Sequence, residues 1–276
     1  MRRLRARAGV AGLTLLALVV FCLLWPSLGP YDANNVDFSI SRQGPSLAHP
    51  LGTDQFGRDL VTRLAAGGRY SLGISAAALA IILALGFLYG AVSGLAGGKV
   101  DGFMMRILDG LLALPRLPIS IVILVALNQQ AQTVWAIILA LSVVSWMLTA
   151  RLVRGQVLVL RESEHVRAAR AIGARRLRII FRNVLPNTLG TVVVAVLLEL
   201  PGVILGEAFL SVLGLGPNPP TPTWGNIALE GVHFANVWAV TLPSAVIVLF
   251  AVCANLLADA FQETLDPRRE GRLETS

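Results

Sequence analysis

Six runs of mostly apolar residues recur along the 276-residue chain, each near the roughly 20 residues that a membrane-spanning helix needs. They are centred on Ala8–Trp25, Leu72–Leu95, Ile107–Leu127, Thr133–Ala150, Thr188–Leu213 and Val237–Ala258. This pattern predicts an all-α, polytopic membrane protein with six transmembrane helices, because only helices satisfy their backbone inside one apolar segment. Gly97-Gly98 turns the chain between spans two and three, and Pro115 with Pro118 kinks or breaks the start of span three. No internal repeat or low-complexity tract is visible. The longest charged interruption is Arg151–Leu185, with nine Arg against two Glu. Leu177, Ile180, Phe181, Val184 and Leu185 recur there at i, i+3, i+4, i+7 and i+8, an amphipathic helix with Arg175, Arg176, Arg178 and Arg182 off the stripe. Ahead of it, Ala168, Ala169 and Ile172 make a small-residue face, and Gly173 lets the backbone turn between two short helices. Such a pair makes a knob that fits a groove in a partner; it equally suits a helix pair lying on lipid headgroups.

Composition excludes an ordinary soluble domain: 55% of residues are hydrophobic and 14% charged, with mean hydropathy +0.70. The net charge of +7 reads as topology and not as a nucleic-acid footprint. Of 23 Lys and Arg, 18 fall at the N-terminus, in Gly97–Leu108, in Arg151–Leu185 and in the tail, while Arg42, Arg58, Arg63 and Arg69 lie on the other side. The positive-inside rule then puts both termini and the basic loop in the cytoplasm. The first run, after Arg2, Arg3, Arg5 and Arg7, has the grammar of a signal peptide too, but Trp25-Pro26 stands where small residues favour cleavage, so the helix is expected to be retained. No phosphate-binding Gly-rich loop is present, so the energy source is a partner or a gradient. Cys22 and Cys253 lie inside apolar runs and are read as buried thiols.

Charges within the runs are the candidate chemistry. Glu199 and Glu207, eight residues apart and so offset by about 80°, are candidates to line a translocation path; the alternative is a structural hydrogen bond to a neighbouring helix. Asp109 and Arg116, seven apart, fall on similar faces near the interface. In the His49–Leu72 stretch, Asp54, Arg58, Asp59 and Arg63 are placed to lock an external turn and helix, with His49 a turn hydrogen-bonder and not a metal ligand, since no second His or Cys lies at ligand spacing. Leu213–Gly225, stiffened by Pro217, Pro219, Pro220 and Pro222, is expected to form a rigid external lip with Trp224 at the membrane interface. An intramembrane enzyme would draw on Glu199, Glu207, Asp109 and His49, yet no H-E-x-x-H or G-x-S-x-G pattern supports one. A gradient-driven transporter would leave the basic loop unexplained and predicts repeats that are not seen.

Arg167-Ala168-Ala169, Gly173 and Leu185-Pro186 together resemble the cytoplasmic coupling loop of ABC importer permeases: Glu-Ala-Ala, three residues, Gly, nine residues, Ile, one residue, Leu-Pro. Arg167 replaces the Glu and Asn183 the Ile, and the first change suggests acidic residues on the partner ATPase. Further stretches are similar to the dipeptide, oligopeptide and nickel permease family: His49-Pro50-Leu51-Gly52-Thr53-Asp54 with Gly57-Arg58-Asp59, Glu207-Ala208-Phe209-Leu210-Ser211 through Gly216, Trp224-Gly225, and Leu265-Asp266-Pro267-Arg268.

The resemblance implies a type I ABC importer permease fold. Residues 1–71 would form the N-terminal tail, first span and external segment, and residues 72–276 the permease domain with its coupling loop at 151–187. It also implies a non-enzymatic cell-membrane subunit that moves di- or oligopeptides, or nickel or another small solute, by alternating access. The implied partners are a second, homologous permease in a heterodimer, two ABC ATPases that use ATP and Mg, an extracytoplasmic solute-binding protein and lipid, with no nucleic acid and no cofactor held by this chain. Arg167, Ala168, Ala169, Gly173, Leu185 and Pro186 would couple to the ATPase.

Overall fold

The computed structural model describes residues 2–127, 134–174, 178, 182, 184 and 186–265. Leu177, Ile180, Phe181, Asn183, Leu185 and Asp266-Pro267-Arg268 lie outside the described residues. Among those described the fold is all-α: α1 (Arg2–Leu28), α2 (Leu60–Ala96), α3 (Gly98–Leu112), α4 (Arg116–Leu127), α5 (Val134–Arg161), α6 (Glu164–Ala171), α7 (Leu189–Leu210), α8 (Trp224–His233) and α9 (Val237–Leu265). Extended pairing is limited there to an isolated bridge between Thr53 and Asp59.

Two spans outrun their apolar cores. The second begins at Leu60 and not at Leu72, because Asp59 caps it by accepting the Thr62 N–H. At 37 residues it is about 56 Å long, well beyond a bilayer core of roughly 30 Å. The boundary drawn at 71/72 therefore falls inside one unbroken helix. Helix α5 likewise continues past Ala150 to Arg161: Val153, Val157 and Leu160 carry the apolar stripe onward at i, i+4 and i+7 beneath the arginines. The first third of the basic stretch is thus the tail of a span.

The third expected span, Ile107–Leu127, is broken at its Pro115–Pro118 entry, as those prolines predict, into two helices. Helices α3 and α4 meet at 86°, since Pro115 cannot donate to the preceding turn and Pro118 sits in the first turn of α4, where it is tolerated. Helix α4, with 12 residues, extends only about 18 Å. Asp109 and Arg116 consequently sit on different arms of the bend, not on one face. Five of the described helices are long and apolar enough to span, six if the bent pair counts as one.

Packing is tightest between α2 and α5. Gly86, Gly90 and Gly94, four residues apart, let the two backbones approach; an added Cβ would lie 2.6 Å from Thr149 Cβ at Gly86 and 2.8 Å from Val157 Cγ1 at Gly94, and would overlap Ala150 O at Gly90. A core of Ile82, Leu124, Ile137, Leu141, Val203 and Leu210 joins α2, α4, α5 and α7. A second core gathers α1, α2, α7 and α9 around Trp224, with Cys22, Ile204 and Phe250. After α7 the chain makes a π-turn over Ser211–Leu215 and enters α8, which Thr223 caps.

Candidate functional sites

Three groups of the singled-out residues lie in different parts of the bundle. At the end where α2 begins, residues 29–59 fold over the helices as a polar cap. Asp54 accepts from the Phe56 and Arg58 N–H groups at 2.8 and 2.9 Å and from Arg58 Nε at 2.6 Å. Asp59 takes the Thr62 N–H and hydroxyl, both at 2.8 Å, and pairs with His49 Nδ1 at 3.0 Å, while Tyr31 stacks on the imidazole. So Asp54, Arg58 and Arg63 are joined as expected, while Asp59 pairs with His49 and Thr62 and not with the arginines, and the arginine cluster has a member that sequence reasoning missed. Glu230 of α8 receives Arg58 Nη2, and Arg63 Nη2 at 3.1 Å. Arg58 and Arg63 are thereby matched by Asp54 and Glu230. Removing one partner would leave a buried charge uncompensated, at a cost of about 3–5 kcal/mol. On the exposed side of the cap, the Ser39 hydroxyl and N–H hold the Asp37 carboxyl below its ordinary range.

Trp224 corrects the expected lip. It does not sit at an interface: it is fully buried, opens α8, and donates Nε1 to Leu64 O at 3.0 Å. The proline-rich segment before it hands the chain to that helix, and Asn226 Nδ2 ties Pro217 O back at 2.8 Å.

At the opposite end lies the loop. Ser163 O accepts from the Val166 and Arg167 N–H groups at 3.1 and 3.0 Å to start α6. The helix closes where Gly173 takes φ 78° and Ala174 N–H reaches Ala169 O at 3.0 Å, the six-to-one bond of a Schellman motif. Val166, fully buried, packs with Val184, Ala91, Val153 and Val157, and so fastens the loop to the ends of α2 and α5. Ala169 leans on this cluster, while Arg167, Ala168 and Gly173 are exposed. Pro186, also exposed, opens the one-turn 3₁₀ helix Pro186–Thr188 before α7. Arg167, Ala168, Ala169 and Gly173 therefore share one small projecting element. Among the described residues Arg167 pairs with Glu162, at 3.8 Å, on the surface.

The third group is the buried carboxylates, which have different partners. Glu207 accepts from Ser71 Oγ at 2.8 Å and Ser211 Oγ at 2.9 Å, and Ser71 in turn receives the Trp224 N–H at 3.1 Å. That places Glu207 in a hydrogen-bonded junction of α2, α7 and α8. Glu199 faces Arg116 Nη1 at 3.5 Å instead.

Comparison with known proteins completes the picture. Residues 83–271 match the family described as the inner membrane component of binding-protein-dependent transport systems. The chain belongs to this family. It is a membrane permease component. An oligopeptide transport system permease protein of Haemophilus influenzae is 38% identical over 97% of this chain and 86% of its own length. A dipeptide transport system permease protein of Bacillus subtilis is 39% identical over 97% and 84%, and an oligopeptide permease of Escherichia coli 37% over 97% and 89%. A chain of the MetNI methionine ABC transporter in an inward-facing conformation superposes with TM-score 0.61 at 17% identity, over 74% of this chain and 96% of that one. That likeness establishes the fold of an ABC importer permease.

Arg154, Arg63's partner Glu230, and the α3 helix were not singled out as site or element by sequence. Arg154 looked like one loop arginine among nine, and Glu230 stands alone between spans. Only tertiary contact distinguishes them.

Proposed function

We propose that this chain is one of two different permeases in an ATP-driven importer of di- or oligopeptides. The observation that carries the reading is near-full-length identity of 37–39% to permeases named for oligopeptide and dipeptide transport. Both termini and α6 face the cytoplasm in this arrangement, consistent with the basic residues at that end. Arg167, Ala168 and Ala169 of α6, with Gly173, dock in an ABC ATPase, and Leu185 and Pro186 complete the loop. The polar cap and α8 face the solute-binding protein on the other side.

ATP and Mg belong to the partner ATPases. Nucleotide closes those subunits, α6 moves with them, and the anchoring of Val166 on α2 and α5 passes the displacement to the spans. A ligand shifts a conformational balance only through contacts that differ between the two states, and the loop supplies them. Glu207 braces the end of the bundle, and Glu199 is the carboxylate assigned to the path. Nickel or another small solute is the alternative cargo. Deleting this chain in its host should abolish uptake of labelled dipeptide and tripeptide and leave free amino-acid uptake intact. Undiminished peptide uptake with lost nickel uptake would favour the alternative.

A further inference from the structure

Arg116 and Glu199 meet between the start of α4, just after the bend, and the middle of α7, beside Pro201. Arg116 is the first residue of α4, the short arm of the 86° bend. Glu199 precedes by two residues Pro201, which removes a hydrogen bond from the middle of α7. Halfway along that helix, it lies about 15 Å from either end. The pair is incomplete. Arg116 Nη1 meets Glu199 Oε2 at 3.5 Å, the limit of a hydrogen bond. Glu199 Oε1 is buried and, among the described residues, has no donor. Glu199 is 3% exposed, whereas the Arg116 side chain is 43% exposed, so Arg116 forms the open side of the pair. A charge that deep normally faces protein or water, not lipid. A broken helix whose end is turned to charged groups, as α4 is here, is a recurring way for transporters to build a substrate site.

We propose that Arg116 and Glu199 form a station on the transport path for the N-terminal residue of a peptide, an assignment that rests on the peptide-import reading above. The α-ammonium donates to Glu199 Oε1, and the carbonyl oxygen of the same residue accepts from the Arg116 guanidinium. Within one residue those two groups are about 3 Å apart by backbone dimensions, comparable to the 3.5 Å between the facing side chains. Every peptide with a free N-terminus carries them, whatever its length or side chains. The station thus reads a peptide end and ignores sequence. Arrival replaces a stretched ion pair by charge-assisted hydrogen bonds on both sides and draws Arg116 off Glu199.

The test uses the complete transporter, isolated through a tag on this chain and reconstituted with its binding protein, ATP and labelled tri-alanine. Glu199→Gln keeps the side-chain shape and removes the charge. Tri-alanine imported per ATP hydrolysed should fall about tenfold, the factor one charge-assisted hydrogen bond sustains, and Glu199→Asp should recover part of it. An unchanged ratio would overturn the proposal. So would import and hydrolysis falling in proportion, which marks a structural role, or loss of the second permease on purification, which marks a seam between subunits. Should Glu199→Gln fail to fold, Arg116→Gln, at the open side, carries the same readings. A wild-type complex that imports another solute but no tri-alanine refutes the peptide cargo itself, and the station with it.

Discussion

Arg154 grips Asp101 with both edges of its guanidinium, Nε on Oδ1 and Nη2 on Oδ2, each at 2.6 Å. Ser93 adds its hydroxyl to the same carboxylate, and Arg161 Nη1 reaches Gly94 O at 3.2 Å. The clasp ties the end of α2, the start of α3 and the tail of α5 beside the cluster that anchors α6. By contrast the neighbouring Arg151–Asp109 pair is exposed on both sides and contributes little. Asp101→Asn should lower stability by about 1–3 kcal/mol, the range for a hydrogen bond to a charged group, seen as an earlier melting transition of the purified complex. Adding Arg154→Gln should restore part of the loss, because it removes the unmatched charge.

Gly90 has no room for a side chain, as its position faces the Ala150 carbonyl across the α2–α5 contact. Gly90→Val should separate the two helices and leave little folded protein in the membrane fraction. Gly73→Ala, on the same helix with nothing within 4 Å of an added Cβ, should accumulate normally. Immunoblotting of membranes for both variants checks the pair.

Among the described residues nothing crowds Gly173, and its requirement is conformational: φ is 78°. A β-branched residue there costs about 1–2 kcal/mol in the left-handed region and would unwind the Schellman end of α6. Gly173→Val should insert normally yet lose most peptide uptake, while Gly173→Asn, a residue that tolerates this conformation, should retain more. Uptake and membrane content measured together separate coupling from insertion.

Trp224 holds four helices, α1, α2, α7 and α9, by volume and by its indole donor to Leu64. Trp224→Ala should cost about 3–5 kcal/mol. Trp224→Phe, which keeps most of the volume but leaves the Leu64 carbonyl without that donor, should cost about 1–3 kcal/mol. Thermal unfolding of the purified complex gives the ranking.

The spans were legible because apolar run length is a one-dimensional property. Their ends were less so. Asp59 ahead of Leu60-Val61-Thr62 is a cap signal, but it lies upstream of the apolar run that defined the span. The α5 tail was hidden because arginines on its open face masked the stripe of Val153, Val157 and Leu160. The break ahead of α4 was legible from Pro115 and Pro118, whereas its 86° angle was not, since hydropathy does not register direction. Trp224 was assigned to the interface by residue type, whereas its fully buried place depends on contacts from α2 and α9. The loop pattern Arg167-Ala168-Ala169 and Gly173 was legible since it resides in local spacing. The different settings of Glu199 and Glu207 were not, because they depend on Arg116 and Ser71, each 83 or more residues away.

The most direct measurement is a single-cysteine cross-link from α6 in native membranes. With Cys22 and Cys253 replaced by Ser, Ala168→Cys is treated with a short bifunctional reagent, and the adduct is identified by mass spectrometry. The expected result is an ABC ATPase attached at that position, with a second permease and a solute-binding protein recovered in the same detergent complex. Cross-linking of Ala168→Cys to lipid-facing or extracytoplasmic proteins, with no ATPase in the complex, would contradict the coupling role and the importer with it.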